Sequence, residues 1–365
     1  MKFTCDRKEL SKILKNISIA AVQKATNLPV LEGVLLNLKD NTLKLSCYDL
    51  RIGMKTEMNV TGKENGDIVV GAEILSNMAQ KMKGETLTFE SGERNIVTVS
   101  SGRSKFKIVG MDAESFPDMP DFEQKDSFEG ESEDIKKAFK GALIAASSDD
   151  VSKVTSGINC VVKENKLYVF AVNGILGVER SADVKGANCD FIIPGKECKN
   201  ILKLIDNGDN VSFLVGEKHL MIKIGEYTIV TRLLDGRFPD IATMLNSKMS
   251  KKAIIDRKEL KSALDCVTIV NVNARISTPI KTAFTENVVT LSMSAAMGQS
   301  EESCEADYNG EDIAIGLSPV YLTNAIDSLT SDELVFNMET DRSPVVIVSD
   351  KDNARILIAP MLLNR

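Results

Sequence analysis

The chain repeats itself at the length of a domain. Phe116-Pro117-Asp118 returns as Phe238-Pro239-Asp240, 122 residues on. An apolar strand pattern, Asp67-Ile68-Val69-Val70, leads into a helical pattern over residues 71–78. Its counterpart is Asp190-Phe191-Ile192-Ile193, leading through Lys196 into residues 201–205, and a third copy runs from Asp312 through Gly316 into Val320-Tyr321-Leu322. These starts lie 123 and 122 residues apart. The pentad Asp6-Arg7-Lys8-Glu9-Leu10 recurs letter for letter at Asp256-Arg257-Lys258-Glu259-Leu260, 250 residues on and about two periods away. The middle copy of this start is Ser132-Glu133-Asp134-Ile135-Lys136-Lys137. Self-similarity at a fixed period marks a repeated architectural unit. This period is far longer than a solenoid repeat and matches a domain. With 365 residues the chain is also too long for one ordinary core. It reads as three tandem like-folded domains, 1–122, 123–247 and 248–365.

Each copy shows the same order. A short strand leads to a helix, and alternating strands follow at 34–38 and 43–46, at 158–162 and 167–171, and at 282–285 and 288–292. Then come the apolar strand, the second helix and a meander, such as 86–90, 96–100 and 105–109. Asp40-Asn41, Ser91-Gly92, Glu164-Asn165 and Gly208-Asp209 mark turns. Two helices on antiparallel sheet make an α+β domain. The joints fall in the acidic stretches 118–126 and 240–252.

The helices carry a second pattern. Asp6 with Glu9, and Asp256 with Glu259, have capping-box spacing, so each pentad is a helix start. Leu10, Ile13, Leu14 and Ile17 form one apolar stripe, while Lys8, Lys12 and Lys15 gather on the other side. Any solvated helix face could look like this, and repetition is what distinguishes it. Lys136, Lys137 and Lys140 repeat it in the middle copy, and Lys196, Lys199 and Lys203 do so on the second helix there. Lys81 and Lys83 match loosely, and the third copy has Thr323, Asn324 and Asp327 instead.

Catalytic patterns are missing. The one histidine, His219, sits in a strand-like stretch with no nucleophile context. No G-x-x-x-x-G-K-[ST] and no strand-linked G-x-G-x-x-G occurs. Asp149-Asp150 and Glu301-Glu302 read as solvated loop charge rather than a metal site. Seven scattered cysteines without a C-x-x-C pair predict buried reduced thiols, not a disulfide framework or a zinc site. With aromatics at 5% and no Trp, a stacking platform for single strands is disfavoured. The net charge of −7 argues against nucleic acid unless basic residues are segregated onto one surface, which the lysine faces offer. Met1-Lys2-Phe3-Thr4-Cys5-Asp6 lacks the apolar run of a signal peptide, and no run nears the ~20 residues of a membrane span. The expectation is a cytoplasmic protein, not an enzyme, with no metal, no cofactor and no membrane partner.

The whole length resembles the bacterial DNA polymerase sliding clamp, the β subunit of DNA polymerase III holoenzyme. The resemblance rests on Met1-Lys2-Phe3-Thr4, Leu28-Pro29-Val30-Leu31, Gly102-Arg103-Ser104-Lys105-Phe106, the run from Val230 through Asp235-Gly236-Arg237-Phe238-Pro239-Asp240, and Ile358-Ala359-Pro360-Met361. It implies three like domains per chain, each with two helices on antiparallel sheet, forming half of a closed ring. Two chains meet head to tail as a homodimer, and helices line a hole that holds duplex DNA without sequence preference. The lysines would then form the inner wall, with Lys24 added through the resemblance. Phe106, Ile269 and Val270 fall at the implied dimer interface. The runner-up is a scaffold of the same repeat that binds protein without encircling DNA.

The resemblance also implies a groove where the replicative DNA polymerase, the clamp loader and other proteins with clamp-binding peptides dock. It falls on Val154, Thr155, Val172, Gly174, Ile175, Leu176, Pro239, Thr243, Met244, Tyr321, Pro344, Ile358, Pro360 and Met361. Here the chain departs from the family pattern. Asn173-Gly174-Ile175-Leu176-Gly177 replaces Asp-Gly-His-Arg-Leu, and Leu362 stands where arginine is usual. Glu73 and Asp149 stand where basic or amide groups are usual on the DNA side.

Overall fold

The computed structural model describes residues 1–22, 27–147, 154–205, 210–271 and 278–363. The helices among them are α1 (Arg7–Ile17), α2 (Ala72–Lys81), α3 (Ser132–Ala142), α4 (Gly195–Leu202), α5 (Ala242–Leu245), α6 (Arg257–Val267) and α7 (Pro319–Asp327). None is long and apolar enough to cross a membrane. The chain forms two compact units, one of Met1–Glu133 with Asn200–Leu233, the other of Asp134–Lys199 with Leu234–Arg365.

The first unit holds a five-stranded antiparallel sheet in the order Thr61–Glu64, Lys2–Asp6, Thr86–Ser91, Ile96–Ser101, Ser104–Val109. Its second sheet runs Gly66–Gly71, Gly33–Lys39, Thr42–Tyr48, Ile52–Asn59, then Tyr227–Arg232, His219–Ile224, Asn210–Val215 and Asp126–Glu131. The second unit repeats this plan. One sheet runs Cys189–Pro194, Gly157–Lys163, Lys166–Val172, Leu176–Gly186, then Ala354–Ile358, Val345–Ser349, Glu333–Met338 and Lys251–Asp256. Ile313–Leu317, Ile280–Thr285, Val288–Ala295 and Gly298–Asn309 complete it, the last strand also meeting Lys251–Asp256.

Each unit thus contains one joint between copies. In the first, Ile52–Asn59 pairs with Tyr227–Arg232. In the second, Leu176–Gly186 pairs with Ala354–Ile358. These joints divide the middle copy between the two units, because each of its two halves is stitched to a neighbouring copy by a full strand ladder. Ser104–Val109 has one neighbour among the described strands, and so does the Gly298–Glu305 part of the Gly298–Asn309 strand.

The local rules hold. Asp6 accepts from the Glu9 amide at 2.8 Å, and Asp256 from the Lys258 and Glu259 amides at 2.8 and 2.9 Å. These caps satisfy amides that have no partner inside the helix. Leu10, Ile13, Leu14 and Ile17 are all buried, and Leu260, Ala263, Leu264 and Val267 repeat the stripe on α6. Asp40, Glu164, Asn165 and Asn287 take left-handed turns between paired strands. The Gly208-Asp209 turn lies outside the described residues.

Several expectations need correction. Glu301 and Glu302 are not loop charge but lie in the twelve-residue Gly298–Asn309 strand. Asp149-Asp150 lies outside the described residues. The second joint is not mere linker, because α5 forms within it and buries Ile241 and Leu245 against Phe170, Val346 and Leu357. The cysteines are free thiols, but Cys266 is exposed and Cys189 half-buried. Burial pushes the Cys304 thiol up to about 11, aided by Glu259 and Asp256.

Candidate nucleic-acid interface and partner groove

The lysine faces come from helices anchored the same way. Arg7 donates from Nε to the Gly84 carbonyl at 2.7 Å and from Nη1 to Ala79 at 2.6 Å, tying α1 to the end of α2. Arg257 makes the matching bond from Nε to Ser331 at 2.9 Å, just past α7. The pentad therefore codes for a cap, a brace and an outward lysine together. The brace was missed, although an identical arginine in both pentads was its signal.

Lys8, Lys12 and Lys15 are exposed on α1, opposite its buried stripe. Lys137 and Lys140 are exposed on α3, with Lys136 half-buried. On α4, Lys196 and Lys199 are exposed. Lys203 lies one residue beyond that helix and donates to Asn200 Oδ1 at 3.3 Å. Lys24 lies outside the described residues. The third copy differs. Lys261 of α6 is held by Asp265 at 3.3 Å and by Asp327 of α7 at 3.1 Å. One helix pair therefore neutralises its own face.

The residues expected in the groove all belong to the second unit. Leu176 stands opposite Ile358 in the strand joint, and both are fully buried. Both side chains therefore lie beneath the surface at which the groove is expected. Asn173 accepts from the Ile175 and Leu176 amides at 3.1 and 2.8 Å. The turn holds Gly174 at φ +89, a conformation that a side chain would strain. The Ala359 amide donates to the Ile175 carbonyl at 2.8 Å, and the Met361 amide to Gly316 at 2.7 Å. Ile175, Pro360 and Met361 are thus brought side by side, half-buried. Val172 precedes that turn, and Pro344 precedes Val345, the strand partner of Ile358. Val154 packs on the bare Cα of Gly236. Thr243 caps onto Asp240 through its amide at 3.3 Å and its hydroxyl at 2.9 Å, and that hydroxyl bond above all holds the carboxyl below its ordinary range. With Ile241 and Leu245 buried, α5 turns Met244 outward, 47% exposed, beside exposed Thr243 and Pro239. Thr155 and Tyr321 are half-buried.

Phe106, Ile269 and Val270 are not core. Phe106 is 44% exposed on the Ser104–Val109 edge strand, Ile269 is 73% exposed after α6, and Val270 is half-buried. A cleft of about 270 Å³ lined by Ile74, Met78, Met82 and Phe106 opens beside that edge. His219 faces Arg232 across a strand pair; burial first, then Arg232 and Lys218, hold its imidazole below its usual value. Its main-chain carbonyl accepts from the Gly216 amide at 2.9 Å, and no nucleophile stands among its described hydrogen bonds.

Family comparison decides the matter. Residues 1–120 match the N-terminal domain of the DNA polymerase III beta subunit, 131–240 its central domain and 243–362 its C-terminal domain. The chain belongs to the DNA polymerase III beta subunit family. It is 23% identical over 368 residues to the beta sliding clamp of Chlamydia muridarum, covering 100% of both chains. It is 24% identical over 378 residues to that of Bacillus subtilis, covering 99% of both. Its fold matches a DNA polymerase III beta subunit structure from Eubacterium rectale at a TM-score of 0.93 and 25% identity, over 99% of both chains. The Bacillus subtilis sliding clamp structure matches at 0.94 and 23% identity, over 100% of both. A Pseudomonas aeruginosa clamp bound to griselimycin matches at 0.93 and 23%, again over 100% of both. The three-domain clamp fold is therefore that of this chain.

Proposed function

We propose that two copies of this chain close head to tail into a ring around duplex DNA and tether the replicative polymerase for processive synthesis. The observation that carries this reading is the strand joint. Two joints of one kind occur within the chain, and among the described strands the repeat leaves one open edge of each kind, at Ser104–Val109 and Gly298–Glu305. Bare edges of matched kind invite a partner. Because the two edges differ, the contact is heterologous, and such contacts close into a ring or grow into a filament. Phe106, Ile269 and Val270 are the apolar residues at this junction, and the cleft beside Phe106 has room for Ile269 of a second copy. The domains run 1–122, 123–247 and 248–365 in this reading.

The wall is formed by Lys8, Lys12, Lys15, Lys24, Lys136, Lys137, Lys140, Lys196, Lys199 and Lys203. Attraction to phosphates carries no sequence information. Lysine, a mobile point charge, holds any duplex without the bidentate fork by which arginine locks onto phosphate. Linkage around the DNA then supplies retention that contact alone would not. The groove from Ile175 to Met361 takes short peptides of the polymerase, the clamp loader and other partners, and it is more apolar than usual because Leu176 and Leu362 replace arginine. The chain performs no chemistry of its own and works in the cytoplasm, without metal or cofactor.

The test compares closed circular with linear duplex DNA after loading. A ring stays on circles and runs off free ends. Equal loss from both forms would refute encirclement and leave the protein-only scaffold.

A further inference from the structure

Arg180 is a buried cation with no direct ion pair among the described residues, Asp352 being the acid whose field reaches it. Arg180 stands in the Leu176–Gly186 strand, 3% exposed. Nη2 donates to the Ser328 carbonyl at 3.0 Å and to its hydroxyl at 2.8 Å, and Nη1 to the Asp352 main-chain carbonyl at 3.4 Å. Nε–H has no hydrogen-bond partner among the described residues. All these acceptors are neutral. Among the described residues, no carboxylate lies within ion-pair distance of this guanidinium. The Asp352 carboxylate is spent elsewhere, on the Ser349 hydroxyl at 2.6 Å, the Thr330 hydroxyl at 2.6 Å and the Thr330 and Ser331 amides at 2.9 and 3.0 Å. Burial accordingly pulls the guanidinium down to about 10, with Asp352 offsetting part of the effect. A buried charge is expected to be paired, and a donor left unsatisfied is a place for a water or an ion.

A cleft of about 580 Å³ opens against this group, between α3 and the end of α7. Gly141 of α3 faces Nε, and a Cβ there would run into it. Lys140 and Lys351 stand on the rim, and so do the carboxylates of Asp134 and Asp183, which are exposed. Of the two remaining acids of the lining, Asp327 is tied to Lys261 at 3.1 Å, and Asp352 is held by Ser349, Thr330 and Ser331. The most deeply buried charge of the lining is therefore the Arg180 guanidinium, and the rim lysines are exposed, Lys351 lying 4.0 Å from Asp332.

We propose that this cleft binds a phosphate group, with Arg180 supplying the fixed positive field and Lys140 and Lys351 closing over the anion. The phosphate comes either from a free nucleotide or from the backbone of DNA, and experiment separates the two. Inorganic phosphate, pyrophosphate and dAMP are titrated at millimolar concentration against the full chain by calorimetry, in a chloride-free buffer. Wild type is expected to bind dAMP or pyrophosphate, and Lys351→Glu to bind about tenfold or more weakly. Arg180→Met should abolish binding; should that variant not fold, Lys140→Gln combined with Lys351→Glu carries the same test. If small anions fail to bind but Lys351→Glu shortens retention on closed circles, the phosphate is that of DNA. No binding of any small anion, together with unchanged retention, overturns the proposal. The titration is independent of ring closure, so loss of wild-type retention on circles would refute the ring alone.

Discussion

Glu179 and Arg355 face each other across the second joint, Nη1 3.2 Å from Oε1, with the Glu179 side chain almost fully buried. In the first joint the same two positions are Lys55 and Thr228. Carried through the repeat, the third pair is Glu301 and Lys105, one on each unpaired edge. The joint between copies should therefore reproduce the ion pair seen within the chain.

This gives the first prediction. Lys105→Glu should weaken the dimer about tenfold or more, and Glu301→Lys alone should do the same. The double swap should restore association. Sedimentation equilibrium reads all three, and a swap that stays monomeric means the register is wrong. Ile269→Ala with Val270→Ala should also give monomers, because it empties the apolar part of the same junction.

The second prediction concerns the wall. Reversing Lys8, Lys12, Lys136, Lys137, Lys199 and Lys203 to Glu should shorten DNA retention and leave dimerisation intact. Retention of wild type should fall with added salt as counterions return to the DNA. Reversal of Lys261 should matter far less, because Asp265 and Asp327 already neutralise it. Burial opposes that ammonium, yet the bonds to Asp327 and Asp265 outweigh it and hold its pKa above the ordinary value. Asp327→Ala should cost the fold only about 0.5 kcal/mol, as exposed pairs do. Equal loss of retention from both sets of reversals would show that the third copy carries its share.

The groove provides the third. A polymerase-derived peptide with Leu or Phe anchors should bind wild type, and Met361→Asp should weaken it about tenfold or more by placing a charge in an apolar cleft. Without arginine at positions 176 and 362, its affinity should change little with salt. Fluorescence anisotropy checks both points. Equal binding by wild type and Met361→Asp would place the peptide elsewhere.

Much of the fold was legible in local pattern. The stripe Leu10, Ile13, Leu14, Ile17 and the caps at Asp6 and Asp256 depend on neighbours within a turn or two, which a sequence displays directly. The Gly298–Asn309 strand was not legible, because its open edge leaves acidic side chains exposed on both faces and hides the alternation of apolar residues. Leu176 was expected in the groove, but its burial is set by Ile358, a strand partner 182 residues away. Arg180 was passed over for a related reason: a charged residue in a strand reads as outward-facing, and only the tertiary contacts to Ser328 and Asp352 draw it inside.

The last prediction rests on Asp352, which ties the turn after Ser349 to the segment following α7. Burial raises its pKa, but bonds from Ser349, Thr330 and Ser331 prevail and hold the folded carboxyl below its ordinary 3.8. A carboxylate with a depressed pKa contributes stability above its unfolded value and loses it as pH falls through the folded one. Asp352→Ala should therefore cost about 1–3 kcal/mol at neutral pH, where several charge-assisted bonds are lost. The gap between wild type and variant should stay constant from about pH 5 to 8 and close below about pH 4, as wild type takes up the proton. Urea unfolding at a series of pH values measures it. A gap that persists undiminished in acid would mean that the side chain acts through packing and not through its charge.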